Sequence, residues 1–424
     1  MTRALTGGEW WLLGLRGLRG LRGPMRLMGL IGLMGVMGCS RDSEEELVVP
    51  ESAQGIPVEV RSLVAGYEEA ARVAGATKAY VAYGAAAVTR AWEPPTGYSL
   101  YNADESIISI NFTQDAEAPM QGYFFKSSDQ WRVSMPEDEE LAAESYYLYG
   151  YVPHSAGMSC ELSSSATPGD NSAYSDGAVM KIKNVPTVLP SDLCVVIGAK
   201  NGKDDYVADG DYSVTGLTRG HFEYAATATS GEDTGNYVYL LFDHLYAALR
   251  IGMRVHDDYA ALRTIKVKEL RLQTTTDEGA AKAKTDITVT LAANDTGSDP
   301  ITSITFTPQG EAVSDGVVFT SATGQTLTSA YSTFQSHFMP HDVTKLLLTS
   351  TYDVYDKNVT PEHPEGNLIR KDCKATNTLD ISRLFDRQTV ANRGVRYTVN
   401  ITIRPTYLYM LSEPDLDSPT MVVE

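Results

Sequence analysis

The chain has 424 residues, with 35 lysines and arginines against 54 aspartates and glutamates, a formal net charge of −19. That balance excludes nucleic-acid binding, which needs a basic stripe to displace counterions from phosphates, and it excludes electrostatic adsorption to anionic membranes. Four cysteines in such a length exclude a disulfide framework.

Residues 15–23 hold three Leu-Arg-Gly repeats behind Trp10-Trp11, and Met25-Arg26 makes a more ordinary basic start, so initiation at Met25 is expected. The apolar run from Leu27 to Gly38 is too short and too glycine-rich to span a bilayer, which takes about 20 apolar residues. It ends in Val36-Met37-Gly38, directly before Cys39 and the acidic Ser40-Arg41-Asp42-Ser43-Glu44-Glu45-Glu46. A small residue before a cysteine, after such a run, reads as a bacterial lipoprotein signal peptide over 1–38, with Cys39 the lipid-modified first residue. Without that peptide the mature chain carries 30 basic and 53 acidic residues, a net charge of −23, so the lipid does the anchoring. Residues 39–55 read as an acidic tether.

The length that remains suits two domains. Period-two apolar alternation dominates and helical periodicity is scarce. Ile56, Val58 and Val60 begin the alternation. Strands are expected at Ile107 to Phe112, Gln121 to Lys126 and Tyr146 to Tyr151, and a fully buried one at Leu193 to Ile197. Later strands are expected at Tyr237 to Phe242, Leu249 to Val255, Ile265 to Leu272, Ile287 to Leu291 and Ile301 to Phe306. Val317 to Phe319, Leu346 to Val354 and Tyr397 to Ile403 complete the series. Turn clusters such as Lys200-Asn201-Gly202 punctuate them, so the expected class is all-β sandwich rather than alternating β and α. Short helices are expected at Asp243 to Leu249, Leu379 to Phe385 and Tyr67 to Arg72. The polar loop from Ser230 to Asn236 sets the expected boundary, giving domains at 56–235 and 236–424.

No catalytic pattern stands out, and no enzyme activity or cofactor is expected. The chain has neither a phosphate-cradling loop nor a Gly-x-Ser-x-Gly elbow. His337 and His341 have the spacing of helical zinc ligands, but Pro340 between them favours the end of a strand. His244, beside Asp243, reads as a histidine packed at an inter-domain junction. Acidic clusters at 137–140 and 413–417 lack the spacing of a calcium loop, so no metal site is expected. Cys160 and Cys194 are either a pair in the oxidising compartment or buried free thiols. Tyr147, Tyr149 and Tyr151 share one face of their strand, which raises sugar binding as an alternative to sandwich packing.

Several segments, in order, resemble the fimbrillin family of Bacteroidota, the FimA/Mfa-like pilus subunits. They are the Cys39 lipobox, Thr89-Arg90-Ala91, Trp131 and Leu148-Tyr149-Gly150-Tyr151-Val152-Pro153. Asp192-Leu193-Cys194-Val195-Val196, Leu241 to Leu249 and the end from Tyr397 to Tyr409 follow. The resemblance implies two tandem sandwich domains of transthyretin-like topology on a lipoprotein of the outer-membrane surface. It also implies a fimbria whose partners are other pilin subunits, joined by strand exchange after a protease removes the first strand. On this chain cleavage would fall between Arg90 and Ala91, although Arg61 and Arg72 also precede the main domain. Residues 406–423 would supply the donor strand, unless they fold back on their own domain. A monomeric surface glycan-binding lipoprotein is the alternative.

Overall fold

Alternation becomes strand throughout the residues described by this computed structural model. These are 56–57, 59–71, 98–100, 106–127, 130–134, 147–164, 173–201, 237–292, 300–407 and 414–423. The expected Cys39 attachment site and the Arg90–Ala91 cleavage site lie outside them, as does Val58. In chain order the first strands are β1 (Ile56–Pro57), β2 (Glu59–Ala65), β3 (Glu68–Glu69), β4 (Tyr98–Leu100), β5 (Ile107–Thr113) and β6 (Met120–Ser127). Then come β7 (Gln130–Ser134), β8 (Tyr147–His154), β9 (Ser159–Ser164), β10 (Gly177–Pro186), β11 (Val188–Leu189) and β12 (Cys194–Asn201). The second half begins with β13 (Tyr237–His244), β14 (Ala247–Val255), β15 (Arg263–Thr276), β16 (Gly279–Ala280), β17 (Lys282–Ala292) and β18 (Ile301–Val313). It ends with β19 (Gly316–Leu327), β20 (Ser332–Phe338), β21 (Lys345–Asp356), β22 (Leu368–Asp380), β23 (Val395–Tyr407) and β24 (Pro414–Val423).

The largest sheet runs β1-β7-β6-β5-β8-β12-β13-β2-β4. β1 and β2 follow one another closely in the chain and join distant strands of it: Ile56 pairs with Val133 of β7, while Glu59 to Val64 pair in parallel with Tyr237 to Phe242 of β13, and β4 lies on the other edge of β2. Together β1 and β2 therefore close a ring of strands. Alternation sends Val60, Val64, Ile108, Phe112, Phe124, Val133, Leu148, Val196 and Phe242 into one enclosed core. The opposite faces of β8, β12 and β13 carry Tyr149, Tyr151, Val195 and Leu241 onto a second sheet, ordered β18-β17-β10-β9.

A separate sandwich forms from β11-β20-β14-β23-β24 against the sheet built on β15, β21 and β22. Ile251, Met253, Val267, Leu270, Leu348, Tyr397 and Ile401 lie in its core. The all-β expectation holds. The sheets do not follow the division at 235/236, because β13 lies beside β2 and β12, and the hairpin β17–β18 reaches back to pair with β10. A boundary placed by a polar loop misses this, since long-range pairing depends on the partners and not on the loop.

Two helix expectations fail. Leu245 and Tyr246 merely turn the chain from β13 into β14, and the run from Leu240 to Leu249 is buried on both faces, so it lacks helical or strand periodicity. Around Tyr67 the chain is extended, and β3 pairs with the start of β23. The third expectation holds as a single turn, Ile381–Leu384, whose first turn is capped by the Asp380 carboxylate accepting from Arg383 N. The C-terminal β24 lies antiparallel on β23 of its own domain, with Ile401 opposite Val423. Among the described residues no helix is long and apolar enough to cross a membrane.

Candidate functional site

One segment touches both sandwiches. After β2 closes the ring, Gly66 and Tyr67 carry the chain across, and β3 continues onto β23, with Glu68 N donating to Gly394 O (2.8 Å) and Ala70 N to Arg396 O (2.9 Å). Beneath this crossing lies a buried polar cluster built from the ends of β12, β13 and β20.

His244 is its centre. Its Nε2 lies 2.6 Å from the carbonyl oxygen of Ala65, and its Nδ1 lies 2.8 Å from Asp192 Oδ2. A carbonyl only accepts, so Nε2 carries a proton and donates it to the first strand. The approach of Nδ1 to Asp192 is likewise at hydrogen-bond distance. Burial opposes the ionised Asp192, but the hydrogen bond and charge of His244, helped by His337, outweigh it and hold the carboxyl below its usual range.

The Tyr67 ring stacks on the His244 imidazole, with centroids 3.7 Å apart and planes at 18°. Arg396 lies over the same tyrosine ring at 4.9 Å, and the His337 ring is 6.2 Å away. Burial, then the charge of Asp192, pushes the Tyr67 phenol far up, so it stays neutral. Burial also lowers His337, whose Nδ1 faces Pro190 O at 3.3 Å and whose Nε2 meets Gln335 Nε2 at 3.2 Å. Asp243 accepts from Arg393 Nη1 (2.8 Å) and from His244 N (2.8 Å), and Arg393 also donates to His244 O.

Asp192, Cys194 and His244 bring donor atoms within 4.8 Å of one another, and these are the residue types of a transition-metal site. The geometry fits a proton better than a metal. His244 Nδ1 meets Asp192 at direct hydrogen-bond distance, and Cys194 Sγ lies 3.6 Å from that nitrogen as a thiol whose pKa burial drives well up.

The sequence singled out His244 and its place at a junction. It missed Asp192, Tyr67 and Arg393, which come from distant parts of the chain; Asp243, its neighbour in sequence, pairs with Arg393. His337 ends β20 as a strand residue, and His341 lies past Pro340 beside Phe306. Cys160, Cys194 and Cys373 are free thiols. The tyrosine face is interior: Tyr149 and Tyr151 are buried, with their hydroxyls bonded to Tyr174 O (2.7 Å) and to His154 Nδ1 (2.8 Å). It offers no sugar platform.

No protein-family model and no curated protein sequence matches the chain. Among solved structures it is similar to a candidate cell adhesion protein from Bacteroides fragilis, at 10% identity and a TM-score of 0.36, covering 87% of this chain and 97% of that one. A fimbrial protein from Bacteroides vulgatus is similar at 13% identity and 0.30, covering 75% and 91%. The fimbrial anchor protein Mfa2 from Porphyromonas gingivalis is similar at 8% and 0.18, covering 86% and 96%. At these scores no residue role is carried from them to this chain.

Proposed function

We propose that the chain is a fimbrillin-like structural and adhesive subunit of the bacterial surface, lipidated at Cys39 and joined to sister subunits by strand exchange. One observation carries the reading. Residues 56–57 and 59–65 close the ring by backbone pairing to β7 at one end and β13 at the other, and they precede in sequence all the other strands of that sheet. Cleavage after Arg90 would free this segment from the remainder of the chain.

The vacancy would expose unpaired edge groups on β4, β7 and β13 and an apolar trough where Val60 and Val64 had been. A strand from a second copy satisfies both needs at once. Residues 406–423 remain the proposed donor; in the isolated chain β24 rests on the outer edge of β23, from which it would have to peel. A surface-exposed outer-membrane location follows from the lipid anchor at Cys39.

Mass spectrometry of the N-terminus of protein shed from cells, with electrophoresis of the trypsin-treated chain, tests this. The expected result is a new N-terminus at Ala91 followed by ladders of multimers. A chain that keeps residues 56–71 and stays monomeric after complete digestion of accessible sites would overturn it.

A further inference from the structure

The strand that closes the ring has little in its own alternation to fix where it sits. Its inward positions are Val60, Ser62 and Val64, and the Ser62 hydroxyl makes no hydrogen bond. A slip of two residues keeps the same face inward. It also brings another backbone carbonyl to His244 Nε2, because carbonyls repeat with the same period. Neither the trough nor the histidine hydrogen bond can choose among these registers.

Tyr67 can. We propose that His244, His337 and Arg396 form a seat that reads an aromatic side chain and so sets the register of the strand lying in the groove. The seat offers the stacked imidazole at 3.7 Å, a guanidinium at 4.9 Å and a second imidazole at 6.2 Å. A π-face answers this set through stacking and cation–π attraction, and a charged or small side chain does not. Two-residue slips would bring Ala65 or Glu69 to the seat, so Tyr67 is the one residue in this segment that fits. Beyond it, Glu69 pairs with Arg396 at 2.9 Å and lies 3.4 Å from Thr398 Oγ1, so a correct seating also sets the contact on the second sandwich. Asp192 keeps the His244 ring oriented from below. One polar group fixing the alignment of an otherwise slippery apolar interface is a known use of buried polarity.

Where strand exchange operates, and here the inference rests on the reading above, an incoming strand of a second copy is read by the same seat. The test itself needs only the uncut chain. Cysteine pairs report the register: Arg61→Cys with Tyr239→Cys for the native alignment, and Arg61→Cys with Tyr237→Cys or Leu241→Cys for the two slips. Each is oxidised and peptide-mapped. In the unaltered background the native cross-link should dominate, and Tyr67→Phe should keep it, since phenylalanine presents the same π-face to the His244 ring. Tyr67→Ala should cut the native yield at least twofold while a slipped cross-link rises. Should Tyr67→Ala fail to fold, His337→Ala, from another wall of the seat, is read the same way. An unchanged native cross-link overturns the proposal, and so does loss of all three, which would mean that the strand leaves rather than slips. Either result leaves subunit assembly an independent question, and a chain that never assembles leaves the cross-links interpretable.

Discussion

The two sandwiches complete themselves by different means. The one around Ile251 and Leu270 is built from strands between β14 and β24, with additions at its rim from β3 and β11. The ring around Phe112 and Phe242 is closed by β1 and β2, which enter from outside the run of strands that they join. A core closed by its neighbours in sequence unfolds as a unit, whereas one closed by a remote segment has a built-in point of opening. The polar cluster sits where that segment crosses between the two.

Removing the segment should produce the largest effect. In a chain that begins at residue 72, amide exchange should speed most in β4, β7 and β13, the strands that lose a partner, while β15 and β21 keep their protection. Equal loss in both sandwiches would show that they stand or fall together and would erase the comparison.

A substitution confined to the ring sharpens it. Gly150 faces β5 so closely that an added Cβ would lie 2.1 Å from the backbone oxygen of Ser109. Backbone cannot step aside as a side chain tip can, so Gly150→Ala should cost about 3 kcal/mol, the upper part of the overpacking range. Urea unfolding followed by a probe in each sandwich checks it; the ring transition should move first.

The clasp should respond to acid. Asp192 is held below its unfolded value, so its contribution is fully present above about pH 4, the ordinary carboxylate pKa, and is lost as pH falls through the lower, folded value. Asp192→Asn should therefore be less stable than the parent at neutral pH, by about 2 kcal/mol for a buried charge-assisted bond. The gap should close progressively as pH falls below about 4. A gap independent of pH would assign the loss to packing instead.

These contrasts were only partly legible in the sequence. The strands were, because one-sided burial imprints period two on segments such as Ile287 to Leu291, where buried and half-buried residues alternate. The crossing from β13 to β14 was not, since Phe242 to Leu249 is buried all round and a run without a polar face has no period to read. Nor was the partnership of β17 and β18 with β10, or of Asp192 with His244, because pairing at long range leaves no spacing rule in a single chain. His244 was visible only as an odd polar residue in an apolar run. Its partners, Tyr67 in an expected short helix and Arg396 just before an expected strand, carried no mark of a site until the fold brought them together.

The smallest expected effect lies at the same junction, on the C-terminal side of the crossing. Tyr246 is wholly buried, and its hydroxyl donates to Pro186 O at 2.8 Å, tying the turn between the sandwiches to the end of β10. Tyr246→Phe keeps the ring in its place and removes only that bond. A single neutral hydrogen bond is worth about 1 kcal/mol, and the abandoned carbonyl is partly buried, so the loss should be near that figure. Because Tyr246 belongs to the turn and not to the closing segment, the change should lower both transitions together and leave amide exchange in residues 59–65 as it was. Faster exchange there would mean that the turn and the closing strand are coupled through His244, and that the opening point extends to both sides of the junction.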